Sequence, residues 1–376
     1  MEYRPLGSTG LNVSLLGFGA MRIPGKPADE VAAIIRRALE LGVNYLDTAP
    51  GYGDSEVLIG HALAGLDTSG LVISTKSSPD GDSTADAVRK RVEESLQRMG
   101  VPQITVLQLW GVNNPEVAAK ALAKGGPLEG VRRLQEEGLV RQVGFTTHGL
   151  PADVIAFMET GEFDSVTGRY HYLDVVYDPV RKRAQELGMA FVAMTPLGQG
   201  WLPRPTPKLQ EMLGKRPPVE FALRYIGAQP GVSTAIVGIG SMEELEEAYR
   251  ALQGDLGDPE ELAAIGRDVR ERIVRLMPPG TYCTVCRGCL PCPEGLNIPE
   301  LLRLNNLLRA YELADWCQDR YKLMGNAGHW YPGVKIDKCT KCGDCEPRCP
   351  ERLPIVELLE ALHDDLYVGE RGSRSR

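Results

Sequence analysis

Eight short apolar runs recur through the first two-thirds of the chain, and stretches of helical periodicity fill the intervals between them. The runs are LLGFGA (15–20), YLDTA (45–49), LVISTK (71–76), VLQLW (106–110), VGFTTH (143–148), SVTGRY (165–170), AFVAMTPL (190–197) and TAIVGI (234–239). They read as parallel strands buried on both faces, the condition of a sheet covered by helices. Among the intervening helices, EVAAIIRRALELG (30–42) puts Val31, Ile34, Ile35, Ala38 and Leu39 on one face and stops at Gly42. TADAVRKRVEESLQRMG (84–100) has a second such pattern. Eight β/α units in about 250 residues are what a closed barrel of parallel strands needs, so an α/β, (β/α)8 TIM barrel is predicted. Ahead of it, Leu11, Val13 and Leu15 alternate after the turn residues Gly7-Ser8-Thr9-Gly10, which predicts an N-terminal β-hairpin. PEVAAKALAKGGPLEGVRRLQEEG (115–138) is long enough for an extra helical turn.

The barrel pattern does not account for the rest of the chain. After one more amphipathic helix (258–276), MPPG (277–280) reads as a boundary, giving domains 1–276 and 277–376. Eight of the nine cysteines follow it in two runs: Cys283, Cys286, Cys289 and Cys292, then Cys339, Cys342, Cys345 and Cys349. Each run ends in Cys-Pro, and the second, C-x2-C-x2-C-x3-C-P, is the ligand run of bacterial ferredoxins. Three thiolates on one loop hold three corners of a cubane, and a distant cysteine closes the fourth. If both runs are complete, Cys283, Cys286 and Cys289 take Cys349, and Cys339, Cys342 and Cys345 take Cys292, giving two [4Fe-4S] clusters. The first run ends C-x2-C rather than C-x3-C, so a single cluster is the alternative, and zinc is the alternative metal. IPELLRLNNLLRAYELADWCQDRYKLM (298–324) is helical by its leucine spacing, so the second domain is predicted to be mainly α-helical and ferredoxin-like. The remaining cysteine, Cys317, reads as a small core residue.

Composition excludes several partners. With 376 residues and a net charge of −8, the chain is not built for nucleic acid or an anionic membrane surface. No run reaches the 18 or so apolar residues of a membrane span, and MEYRPLGSTGLNV lacks the features of a signal peptide. Clustered thiols without an export signal point to the reducing cytoplasm. The tail GERGSRSR (369–376) reads as a disordered end.

In such barrels the chemistry lies where strands end and βα loops begin. There the sequence resembles the aldo-keto reductases, in the branch with a C-terminal ferredoxin-like domain. The hairpin, GVNYLDTAPGYGDSE (42–56), ISTK (73–76), VGFTTH (143–148) and PLGQG (196–200) fall in family order over residues 1–250. The resemblance implies hydride transfer between a nicotinamide and a small carbonyl or alcohol substrate. Tyr52 is then the proton donor, with Asp47 and Lys76 behind it. A phenol with pKa near 10 needs an ammonium to lower it and a carboxylate to hold that ammonium in place. Where the family has a substrate-orienting histidine this chain has Trp110, whose N–H donates but cannot accept a proton. His148 and His171 are the nearest candidates to substitute, and Arg169 could bind an anionic group of a substrate.

For the nucleotide, the resemblance places Thr146 and Thr147 at the carboxamide, Thr167 at the usual glutamine position and Met194 where an aromatic residue stacks on the ring. Pro196, Leu197, Gly198, Gln199 and Gly200 supply backbone for a pyrophosphate. Gly238, Gly240, Ser241 and Glu244 lie where the ribose phosphate of NADP is held in relatives with lysine and arginine. A carboxylate there repels a 2′-phosphate, which argues against NADP. Ser241 and the helix after it could hold an anion or could be an ordinary helix cap. A nicotinamide moves two electrons and a [4Fe-4S] cluster one. The clusters are thus either structural or pass single electrons to an external carrier; in the second case the barrel could work without nicotinamide, or serve as an electron-transfer subunit.

Overall fold

The structure is a computed structural model in which residues 1–204, 206–326 and 333–367 are described; the tail 369–376 lies outside them. The hairpin is present, with β1 (Tyr3–Pro5) antiparallel to β2 (Asn12–Ser14). Eight parallel strands follow: β3 (Leu16–Gly19), β4 (Tyr45–Asp47), β5 (Val72–Ser77), β6 (Ile104–Leu109), β7 (Val140–Thr147), β8 (Ser165–Arg169), β9 (Ala190–Met194) and β10 (Val232–Gly238). They pair in sequence order, and β10 returns to pair with β3, with Gly238 opposite Gly19, closing the barrel. Each of the eight predicted runs overlaps one of these strands; β6, β7 and β10 begin two or three residues earlier than their runs, and β5 ends one residue later.

The helices between strands follow their own sequence signals. Ala85–Met99 begins at Thr84, whose side chain accepts the N–H of Ala87, and ends at Gly100 in the left-handed region at φ +64°. Ala28–Glu40 buries Val31, Ile34, Ile35 and Ala38. The long fourth connection forms two helices, Pro115–Leu122 and Pro127–Glu136, each with proline in its first turn.

One end of the barrel is shut by the hairpin. Leu6 and Val13 pack with Tyr45, Val72, Val106, Val192 and Ile236 inside the strands, and Leu11 lies against them. The inward residues farther along the strands are polar: Asp47, Ser74, Lys76, Gln108 and Thr167, all buried. Alternation along a strand brings every second side chain inward, so these groups form layers above the apolar floor.

Contacts divide the chain into two compact units, Met1–Pro203 with Pro217–Gly266, and Arg204–Arg216 with Arg267–Arg376. The second unit is helical. The helical stretch between the cysteine runs is two helices, Ile298–Tyr311 and Ala314–Leu323, separated where Glu312 turns left-handed at φ +59°. A third, Ile355–Leu366, follows the second cysteine run. The helix Pro207–Leu213 packs on Ile298–Tyr311, and Lys208 pairs with Glu312 at 2.7 Å. Among the described residues no helix is long and apolar enough to cross a membrane.

Candidate active site and thiol cavities

Adjacent strands β4 and β5 aim Asp47 and Lys76 at each other inside the barrel. Lys76 Nζ donates to Asp47 Oδ1 and to the carbonyl of Thr48, both at 2.7 Å. The pair is enclosed, at 4% exposure for Asp47 and 3% for Lys76. Asp47 Oδ2 accepts from Ser74 Oγ at 3.3 Å and from Gln108 Nε2 at 3.4 Å. Gln108 also donates to Ser74 Oγ at 2.8 Å, and its Oε1 accepts the hydroxyl of Thr167 at 2.7 Å. A chain of bonds therefore runs from Lys76 through Asp47 and Gln108 to β8.

The turn after β4 carries Tyr52 to the same place, with Lys76 Nζ 4.7 Å from its ring centroid. Burial pushes the Tyr52 phenol above its ordinary value; Lys76 pulls it down and the Asp47 carboxylate works against that pull. The ammonium acts in the expected direction, but burial outweighs it and the net shift is upward. Tyr52 is consequently protonated at neutral pH, with the Lys76 ammonium close to its ring. Burial opposes the charge on Lys76, yet the neighbouring Asp47 and Tyr52 outweigh it and raise its pKa. Asp47 itself is raised by burial, which Lys76 and Ser74 only partly offset.

Trp110 stands edge-on to Tyr52, with centroids 5.7 Å apart and planes at 84°. Its ring covers Gly51, where an added Cβ would lie 2.7 Å from the Trp110 Cη2 atom. Bare backbone at position 51 is thus what lets the indole reach Tyr52. His148 is exposed, and Nδ1 of the buried His171 accepts the N–H of Leu173 at 3.3 Å. Arg169, expected to be available to a substrate anion, is paired with Asp174 at 2.9 Å.

Three expected nucleotide contacts are differently employed. Thr167 faces the barrel interior and donates to Gln108. Thr147 Oγ1 donates to the carbonyl of Val112 at 2.6 Å and accepts the N–H of Gly149 at 3.0 Å. Thr146 Oγ1 accepts the N–H of Gly111 at 3.0 Å. These hydroxyls tie the loops after β6 and β7 together. Met194, opposite Arg169 in register, lies at the end of β9. Pro196 and Leu197 lead into a tight turn, Gly198–Gly200, with positive φ at Thr195, Gly198, Gln199 and Gly200. At the end of β10, Gly238 and Gly240 precede Ser241, whose hydroxyl accepts the N–H of Glu244 at 3.3 Å as a cap of Met242–Ala251.

Glu244 is engaged by two groups, one of which sequence reasoning missed. Its Oε2 accepts the N–H of Gly240 at 2.8 Å, and its Oε1 lies 2.7 Å from Arg22 Nη1. Arg22 follows β3, and only closure of the barrel brings it beside β10. That closure was predicted, so the neighbourhood of the first and last strands was the signal. Gln108 was also missed, although its place two residues before Trp110 puts it on the same inward face.

The second unit sorts its thiols into two cavities. One is lined by Cys283, Cys286, Cys289 and Cys349 together with Leu302 and Ile355. The other is lined by Cys292, Cys339, Cys342 and Cys345 together with Leu296 and Leu359. Each takes three cysteines from one run and one from the other. The thiols surround a space instead of meeting at a point: among the described residues no three His, Cys, Asp or Glu groups are placed to hold a single metal ion. A cubane, with a thiolate at each iron corner, suits that arrangement better than one tetrahedral zinc. Burial lifts Cys283 to about 12 and Cys289 to about 11; bound iron would replace those protons. Asn306 grips the first ligand position, accepting the N–H of Cys283 at 3.2 Å and donating to its carbonyl at 2.7 Å. Cys317 is buried apart, its Sγ 3.5 Å from the carbonyl of Leu304, as a core residue would be.

A tyrosine beside a buried lysine–aspartate pair at the strand ends of a (β/α)8 barrel thus shares one chain with a thiol-rich helical domain. Residues 15–267 match the model of the aldo/keto reductase family, and residues 282–354 match that of a 4Fe-4S dicluster domain. The chain belongs to the aldo/keto reductase family, is an oxidoreductase, and carries a C-terminal iron–sulfur domain. It is 29% identical to L-galactose dehydrogenase of Arabidopsis thaliana over 71% of this chain and 91% of that protein. It is 26% identical to the NADH-specific methylglyoxal reductase of Escherichia coli over 73% of this chain and all of that protein. Among solved structures, the holo form of aldo-keto reductase AKR11C1 from Bacillus halodurans matches with a TM-score of 0.63 and 26% identity, covering 71% of this chain and 96% of that one.

Proposed function

We propose that the chain is a nicotinamide-dependent oxidoreductase interconverting a small carbonyl compound and its alcohol, with Tyr52 as the proton donor in reduction. The observation that carries this is the enclosed Lys76–Asp47 pair beside a protonated, buried phenol. The Arabidopsis and Escherichia coli relatives, named as a dehydrogenase and a reductase, fit that reading. The turn Gly198–Gly200, where nothing lies within 4 Å of a Cβ on Gly200, leaves room for a dinucleotide's backbone contacts, whereas the hydroxyls of Thr147 and Thr167 do not suit the carboxamide. A bound nicotinamide supplies or accepts the hydride. The chain's own part is to place the substrate oxygen against Tyr52, give it the phenolic proton, and balance the resulting phenolate with Lys76. Asp47 holds that ammonium in place, and Trp110 stands edge-on beside Tyr52, where an indole can donate a hydrogen bond but cannot relay a proton.

The eight cysteines hold two [4Fe-4S] clusters in the 3 + 1 grouping of the cavities. Cys286 and Cys342, one at each cavity, are exposed, which favours a second reading in which the clusters exchange single electrons with an external carrier. The reduced thiols that such clusters require suit the cytoplasm. Anaerobic protein titrated with NADH and NADPH, followed by tryptophan fluorescence, tests the main reading: saturable binding of at least one is expected, and binding of neither removes it. About eight iron atoms per chain and a dithionite-bleached band near about 400 nm are expected on the same sample; four would mean a single cluster.

A further inference from the structure

Gln108 is the middle of a line of buried groups that crosses the barrel. Asp47 on β4 and Thr167 on β8 stand on opposite sides of the closed ring, and β6 lies halfway between them. Alternate strands contribute one layer of inward side chains, which is why these three meet. Gln108 Nε2 donates to Ser74 Oγ at 2.8 Å and to Asp47 Oδ2 at 3.4 Å, and Gln108 Oε1 accepts the Thr167 hydroxyl at 2.7 Å. A carboxylate only accepts, so Asp47 decides which way the amide faces, and Thr167 donates to the oxygen that remains. Ser74, having accepted from Gln108, gives its own proton to Asp47 Oδ2 at 3.3 Å. Every donor in the line points towards Asp47, whose other oxygen takes Lys76 at 2.7 Å. That is the pattern of an ionised carboxylate, since a proton on Oδ2 would have to reverse one of these bonds.

We propose that Gln108 is a positioning residue of the reaction: it keeps Asp47 the carboxylate that holds the Lys76 ammonium beside Tyr52. This rests on the reading of Tyr52 as proton donor. Burial works against the charge on Asp47, and Ser74, itself held by Gln108, works the other way. The titratable groups around this line are Lys76 from β5, Tyr52 from the turn after β4, and Tyr45 from β4 itself. Burial and the nearby Asp47 keep the Tyr45 phenol protonated. Asp47 and Lys76 are thus the charged members of the group, and Gln108 is a neutral donor to the first.

Gln108→Met and Gln108→Glu, compared with wild type by kcat against pH for reduction of a small aldehyde, separate positioning from packing. Methionine fills the space and donates nothing, so kcat is expected to fall about ten- to a hundredfold at every pH, with nucleotide dissociation constants changed by less than about threefold. Glutamic acid still donates while it carries a proton, and beside Asp47 two carboxyls share one. Gln108→Glu should therefore keep most of the wild-type kcat on the acid side and lose it along an alkaline limb at least about one pH unit below that of wild type. It has the shape of glutamine, and serves if the methionine variant does not fold. Wild-type kcat in Gln108→Met, or a Gln108→Glu profile that follows wild type across the whole range, overturns the inference and leaves Tyr52 as donor. Infrared spectroscopy tests the placement without turnover: at neutral pH Gln108→Glu should show one protonated carboxyl more than wild type, and its absence also overturns the inference. That extra carboxyl in a protein whose wild type reduces no carbonyl compound would remove the proton-donor reading and leave Asp47 held by Gln108.

Discussion

Replacing Lys76 by methionine separates what the buried pair does for stability from what it does for chemistry. Methionine has nearly the volume and flexibility of lysine but no charge, so the main change is the loss of the 2.7 Å contact to Asp47. Asp47 keeps only Ser74 and Gln108, at 3.3 and 3.4 Å, as donors. Breaking a buried ion pair at one end costs about 3–5 kcal/mol, because the other charge stays behind uncompensated. The sign with pH follows from Asp47. Burial already raises its folded pKa, and loss of the ammonium raises it further. A carboxyl raised in the folded state carries no penalty below its unfolded pKa, and the penalty grows as pH climbs towards the folded one. Lys76→Met is therefore most destabilised at neutral pH and less so near pH 4 or about there. Adding Asp47→Leu removes the stranded charge and should restore most of the lost stability while leaving turnover absent. The assay is urea unfolding followed by far-ultraviolet circular dichroism on wild type, both single variants and the double, with each cycle repeated at two pH values. A double variant as unstable as Lys76→Met would show that the loss comes from packing and refute the electrostatic argument.

Three further outcomes follow from the same contacts. Tyr52→Phe should abolish carbonyl reduction while changing nucleotide dissociation constants by less than about threefold; in wild type, with the phenol raised by burial, reduction should persist through neutral pH and fall only on an alkaline limb above about pH 10, as steady-state rates against pH would show. Asn306→Leu leaves both the N–H and the carbonyl of Cys283 without partners in a buried site, at about 1–3 kcal/mol for each group; iron analysis and electron paramagnetic resonance should show selective loss of one of the two clusters. Trp110→His puts an imidazole that can both donate and accept beside Tyr52, and should change the Michaelis constant for a small aldehyde more than the dissociation constant for nucleotide, measured side by side.

The barrel was legible because its signal is repeated. Eight buried runs, each followed by a helix with recognisable ends such as Thr84 and Gly100, leave few other architectures. The two cysteine runs were legible for a different reason, since metal-ligand spacing is local and one turn of backbone fixes it. Their sorting into 3 + 1 groups needed more than spacing: it requires Cys292 and Cys349 to leave their own runs, and the structure places each beside the opposite three. The segment 204–216 carried no such signal. Its helix is short, and only its contact with Ile298–Tyr311 shows that it belongs with the cysteine-bearing unit.

What the sequence left hidden is the direction in which small polar side chains point. Thr147 and Thr167 occupy places from which a hydroxyl could reach a ligand, yet each has a nearer partner supplied by a strand or loop elsewhere in the chain. A buried hydroxyl without a bond is costly, so it turns to whatever donor or acceptor the fold already provides. Gln108 is that provider for Thr167, 59 residues away, and Val112 is for Thr147, 35 residues away. Arg22 and Glu244 make the same point with charge: they lie far apart in the sequence, and barrel closure makes them neighbours. Residue type and adjacent strands were therefore enough to bring Tyr52, Lys76 and Asp47 together. The residues proposed for a nucleotide depend on long-range pairings, and those decide which hydroxyls are already engaged within the fold.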